Sequence, residues 1–174
     1  MSLTIWCNAK FSESDTQLLV EGTRGHHLIF SAQASASVLD AGKPDPDLAK
    51  ADVAFGQPDV GQCLVSRKLK WVEVTTAGYT LYDTPEFRET FRARGAVFSN
   101  VSDVFADPCA QHVLAMMLAF GRRLLPSYRD QLGDHRWEYA KRRYDSRLLT
   151  GQTVLLLGYG AIGRRLAALL APFG

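Results

Sequence analysis

Short apolar runs punctuate the first hundred residues: Leu3 to Cys7, His27 to Phe30, Val53 to Phe55, Trp71 to Val74 and Ala96 to Phe98. Each has the length of a strand and most are rich in β-branched or aromatic side chains, which predicts five strands. The stretches between them predict helices. One runs from Glu13 to Glu21, with Ser12 as its N-cap and Asp15 three residues on. Another covers Val60 to Lys68 after Pro58, and a third covers Pro85 to Arg94, ended by Gly95. The helical pattern is weakest between Ser31 and Asp47. Such alternation implies a parallel sheet, because parallel strands need crossovers and the crossovers cover its faces. The expected class is α/β, with a flavodoxin-like domain over residues 1–100.

A different pattern begins at Asn100-Val101-Ser102-Asp103. From Val104 to Leu125 the chain is apolar nearly all round, which predicts a long buried helix capped by Ser102 or Asp103. Pro126 should interrupt it, Asp134 to Lys141 suggests a second helix, and Arg142 to Leu149 reads as a charged surface connection. Residues 101–174 are therefore expected to leave the first domain and enter another.

Thr153 to Leu157 is a continuous apolar run, and Gly158-Tyr159-Gly160-Ala161-Ile162-Gly163 follows it directly, opening into a helical pattern from Arg164 to Leu170. This is G-x-G-x-x-G in a strand-turn-helix setting, the entry to a Rossmann dinucleotide-binding domain. The first glycine permits the tight turn, the second lets a pyrophosphate approach the backbone, and the third lets helix and strand pack closely. The helix N-terminus offers unpaired N–H groups and the positive end of its dipole to phosphates. The acid that reads the ribose lies about 20 residues past such glycines, beyond Gly174, so NAD and NADP both stay open.

One β-α unit cannot cover its own strand. Leaving Val154 to Leu157, Leu166, Leu169 and Leu170 wet forfeits roughly 1.5–3 kcal/mol each. The total, about 10–20 kcal/mol, is comparable with a whole domain's net stability of about 5–15 kcal/mol. The expectation is that the chain is the N-terminal, truncated part of a longer polypeptide, or that the unit packs on a second copy.

Composition narrows the class. The chain has 174 residues, 47% apolar and 22% charged, with a net charge of +2. That is an ordinary globular composition and excludes disorder. Cys7, Cys63 and Cys109 are odd in number and far apart, supporting neither a disulfide framework nor structural zinc. The start, MSLTIWCNAK, lacks a signal-peptide pattern, and the longest uncharged apolar run, Cys109 to Gly121, is short of the roughly 20 residues a spanning helix needs. A cytoplasmic protein without a membrane span is expected. Residues 121–150 carry 8 basic and 4 acidic groups. Because Asp134, Glu138 and Asp145 are interspersed among them, solvated linker charge is favoured over a nucleic-acid surface.

The chain resembles the N-terminal half of the D-isomer-specific 2-hydroxyacid dehydrogenases. The similar segments are Leu69 to Tyr79, Asn100 to Val104, Ala106 to Arg123 with Ala110-Gln111-His112, and Leu149 to Gly163 leading to Ala171-Pro172-Phe173-Gly174. The last is the most specific. The resemblance implies hydride exchange between NAD or NADP and C2 of a 2-hydroxy or 2-keto acid. Substrate would be held by Gln57 and by backbone amides of Thr76, Ala77 and Gly78. Cofactor would lie against Val104, Gly158, Tyr159, Gly160, Ala161, Ile162 and Gly163. The family's catalytic arginine, glutamate and histidine lie beyond Gly174, so no catalytic residue is assigned here and the 174 residues alone should be inactive. The 104–125 helix would form a homodimer. Gln111 departs from the glutamate usual beside the helix histidine. The alternative implied by the same resemblance is a dinucleotide-dependent dimeric binding module of the corepressor type.

His112 is expected to be a packed core histidine and not a catalyst, and the adjacent His26 and His27 should point to opposite faces of a strand. No metal site is expected, no G-x-S-x-G frames a serine, and the cysteines are expected to be small buried hydrophobes.

Overall fold

A computed structural model describes residues 1–34 and 42–174, and divides the chain into two compact units, Met1–Ser102 and Asp103–Gly174. The first is a parallel five-stranded sheet built from β1 (Thr4–Cys7), β2 (His27–Phe30), β3 (Val53–Gly56), β4 (Trp71–Val74) and β5 (Val97–Asn100). Its order is β2-β1-β3-β4-β5, the flavodoxin-like order. Registers such as Ile5 with Leu28 and Val53, and Val72 with Phe98, are set by which side chains each strand buries.

Helix α1 (Glu13–Gly22) starts where expected, Ser12 accepting from the Asp15 N–H. Helix α2 (Val60–Val65) is shorter than the predicted run to Lys68 and is capped by Asp59. Helix α3 (Pro85–Arg94) has Thr84 as N-cap and ends on Gly95 in a left-handed conformation, φ +65°. On β4, Val72 and Val74 alternate inward and are fully buried. They meet Trp6, Leu48, Cys63 and Leu69, together with Phe87 and Phe91 of α3. Of the predicted helix between Ser31 and Asp47, residues 35–41 lie outside those described; residues 31–34 and 42–45 form no helix, and Pro46–Lys50 forms a 3₁₀ turn. Cys7 and Cys63 are buried as expected and Cys109 only partly; burial pushes the Cys63 thiol up to about 12.

The second unit departs further from expectation. Neither Ser102 nor Asp103 caps its first helix: Ser102–Phe105 is a 3₁₀ turn, and α4 (Ala106–Gly121) begins after Phe105 without a side-chain cap. The helix ends before Pro126, because Arg123 adopts a left-handed conformation, φ 54°. Helix α5 (Leu124–Leu132) then carries Pro126 in its first turn, where the missing N–H costs little. Helix α6 is Tyr139–Asp145, later than the predicted 134–141. The prediction that the 104–125 segment is buried is overturned: on α4 only Ala110 is, Met116 and Phe120 are exposed, and His112 is exposed too. By length and composition alone, Ser102–Gly121 is long and apolar enough to cross a membrane, contrary to the expectation from uncharged runs. Helix α7 (Ala161–Leu170) packs on α4, with Arg165 Nε donating to Asp107 Oδ1 at 2.6 Å. Thr153–Leu157 precedes α7 but forms no strand. A ladder needs a partner, and among the described residues none lies beside it, leaving Leu155 82% and Leu157 92% exposed.

Candidate functional site

In the first unit the polar side chains gather at the carboxyl ends of β1, β3, β4 and β5. The strand order reverses between β1 and β3, which is where open α/β sheets form a ligand crevice. Gln57, directly after β3, is 4% exposed. Its Nε2 donates to Thr76 Oγ1 at 3.2 Å and Thr75 Oγ1 at 3.4 Å. Both amide hydrogens are thus engaged, and a substrate oxygen reaching Gln57 would replace a threonine hydroxyl.

The loop after β4 presents itself asymmetrically. Its carbonyls are occupied: Val101 N–H donates to Thr76 O at 3.4 Å, Asn100 Nδ2 to Ala77 O at 2.8 Å, and Thr76 Oγ1 to Gly78 O at 2.7 Å. The N–H groups of Thr76, Ala77 and Gly78 donate to no acceptor among the described residues. Thr76 and Ala77 are half-buried and Gly78 is exposed. Pinned carbonyls and free amides are what an anion-binding loop requires. This brings Gln57 and Thr76 into contact, with Ala77 and Gly78 on the same loop. Asn8, Thr75 and Asn100 also belong to this cluster and were not singled out from sequence. Each is a polar residue at or just past the end of an apolar strand, and only the strand order shows that those ends converge.

In the second unit each glycine of the 158–163 turn has a separate geometric reason. Gly158 has φ +100°, a conformation side chains rarely adopt. A Cβ on Gly163 would lie 2.4 Å from the Gly158 carbonyl oxygen, so the third glycine sets how closely turn and helix approach. A Cβ on Gly160 would meet nothing within 4 Å, which leaves open space over the turn. Gly160 is the N-cap of α7 and supplies no side-chain acceptor to its first-turn N–H groups. Tyr159 and Ile162 are exposed, and Ala161 is half-buried between them. An uncapped helix start, open space and a closely packed turn fit a dinucleotide's pyrophosphate. Val104 is exposed, on the 3₁₀ turn before α4.

Residues 114–174 match the family of D-isomer specific 2-hydroxyacid dehydrogenase, NAD binding domain. The chain is 27% identical over 156 residues to the formate dehydrogenase of Candida boidinii, covering 86% of this chain and 41% of that protein. A phosphoglycerate oxidoreductase from Rhizobium etli superposes with a TM-score of 0.73 at 20% identity, over 99% of this chain and 54% of the other. An NADPH-dependent glyoxylate/hydroxypyruvate reductase from Sinorhizobium meliloti, solved with NADP and malonate, gives 0.60 at 22%, over 100% and 51%. At these identities the two structures establish likeness of fold. The chain spans about half the length, or less, of these relatives.

Proposed function

We propose that the chain belongs to the D-isomer-specific 2-hydroxyacid dehydrogenase family, with NAD or NADP as its cofactor, and that its parent protein is an oxidoreductase acting on a 2-hydroxy or 2-keto acid. The observation that carries this reading is the 158–163 turn: Gly158 at φ +100° disfavours any side chain, Gly163 against the Gly158 carbonyl leaves no room for one, and the uncapped start of α7 faces open space. When bound, the nicotinamide supplies or accepts the hydride at C2, so that keto acid, reduced dinucleotide and a proton give hydroxy acid and oxidised dinucleotide.

The chain's own residues then have binding roles. Gly158 to Gly163 would hold the pyrophosphate, with Ala161 and Ile162 donating backbone N–H groups, and Val104 would contact the nicotinamide. The free amides of Thr76, Ala77 and Gly78 take the substrate carboxylate, and Gln57 orders the loop that presents them. Fixed donors cost no reorganisation when the anion arrives, which is how orientation becomes rate. Because these 174 residues span about half of the structural relatives, the complete reaction is assigned to a polypeptide carrying the rest of the cofactor domain, and the 174 residues alone should turn over nothing. We also read the exposed apolar residues Met116, Phe120, Leu124 and Leu125 as the contact with a second copy in a cytoplasmic homodimer.

The test is a panel of 2-keto acids, and formate with the oxidised cofactor, against NADH and NADPH using the full-length protein. Keto-acid-dependent oxidation of either dinucleotide is expected. Tight dinucleotide binding with no turnover of any acid would overturn the enzymatic reading.

A further inference from the structure

The crevice where the strand order reverses is lined from the β1 side by Asn8, a polar residue 2% exposed that the proposed substrate contacts do not use. Its side-chain amide reads a single residue twice. Asn8 Oδ1 accepts from the Gln57 N–H at 2.7 Å, and Asn8 Nδ2 donates to the Gln57 carbonyl at 2.8 Å. The pair continues hydrogen bonding past the point where the β1–β3 ladder ends, beyond the Asn8 N–H bond to the Phe55 carbonyl. The surroundings hold the same peptide. Gly56 has φ +130°, and a Cβ there would lie 2.1 Å from Asn8 Oδ1; a Cβ on Gly42 would lie 1.9 Å from the Gln57 carbonyl oxygen. One residue further on, the buried Tyr82 hydroxyl donates to the Pro58 carbonyl at 2.7 Å.

We infer that Asn8 is a positioning residue for substrate binding, acting through Gln57: it fixes the Gln57 backbone so that the side-chain amide reaches Thr75 and Thr76 and holds the 76–78 amides toward the substrate carboxylate. The inference rests on the substrate site proposed above. A continuous run of contacts supports it, from Asn8 to the Gln57 backbone, from Gln57 Nε2 to Thr76 Oγ1, and from Thr76 Oγ1 to the Gly78 carbonyl. Removing the Asn8 amide leaves two buried backbone groups of Gln57 without partners, and the chain relaxes to pair them elsewhere.

The experiment is a double-mutant cycle in the full-length protein with the 2-keto acid that the wild type reduces best. N8A is expected to raise KM for the keto acid on the order of tenfold through lost orientation, with kcat within about twofold and KM for the dinucleotide unchanged. In the Q57A background the same change should add less than about twofold, because the residue through which Asn8 acts is gone. An equal rise in both backgrounds, or a rise in KM for the dinucleotide as well, would show a merely structural role and overturn the inference. If N8A does not fold, N8D replaces it in the cycle: it keeps an acceptor for the Gln57 N–H and sets a second oxygen against the Gln57 carbonyl. Should the wild type turn over no 2-keto acid, it is the proposed function that fails. The placement of Asn8 is then read from the Gln57 side-chain amide resonance, which must move in the Asn8 variant, and an unmoved resonance overturns it.

Discussion

Residues 1–102 bury Trp6, Leu48, Val72 and Val74 completely, whereas in residues 103–174 only Ala110 and Leu166 are buried apolar side chains. The two stretches do not differ much in how apolar they look as sequence. They differ in whether the elements present can close on themselves. A five-stranded sheet with α2 and α3 packed on it covers Trp6, Val72 and Val74. Helices α4 and α7 find each other, but among the described residues the apolar 153–157 run has nothing to pair with. Apolar content is therefore a poor measure of core, and the number of mutually covering layers is a better one.

The largest effect expected from this contrast is in the first unit. Trp6→Ala removes a fully buried indole whose Nε1 donates to Asp45 at 3.0 Å, and should destabilise that unit by about 3–5 kcal/mol, measured by urea unfolding. A loss under about 1 kcal/mol would break the comparison. In the second unit the sensitive place is a turn. Gly158→Ala forces a side chain into φ +100° and should cost about 1–3 kcal/mol. Hydrogen exchange would show it as lost protection in α7 with the first unit unchanged.

A smaller effect sharpens the picture at the sheet's amino-terminal edge. The Thr4 N–H, followed by Lys70 and Lys68, holds Asp52 at about 2, below the ordinary carboxylate value, against the effect of its burial. A carboxyl lowered in the folded state stabilises fully above its ordinary pKa, and that stability drains away as pH falls from about 4 toward 2. Asp52→Asn should therefore cost about 1–2 kcal/mol at neutral pH, allowing for the exposed lysines, and much less in melts at pH near 2. The smallest effect belongs to Leu155→Ser, on a side chain 82% exposed. It should shift the stability of these 174 residues by under about 0.5 kcal/mol. A loss comparable to that at Trp6 would show the apolar run to be covered.

Much of the first unit is legible in its residues alone. The His27–Phe30 and Trp71–Val74 strands and the Pro85–Arg94 helix stand where the apolar runs and caps put them, and Ser12 caps as expected. Local signals suffice because Thr84, Pro85 and Gly95 act within a few residues of themselves. The second unit misleads for the same reason in reverse. Pro126 looks like a helix breaker, yet a left-handed Arg123 has already ended α4 and made Pro126 a first-turn residue. The all-round apolar surface of residues 104–125 signals burial without specifying what would bury it.

The candidate site divides in the same way. Sequence alone determined the spacing of Gly158, Gly160 and Gly163 and put Gln57 and the 76–78 loop just past apolar strands, since backbone freedom and strand ends are local properties. Only the tertiary structure decided that β1 lies beside β3, that Asn8 faces Gln57 across that gap, and that Asn100 turns the Ala77 carbonyl aside. Those contacts join residues 49 and 23 positions apart. A periodicity confined to one element carries no information about which other element will lie against it.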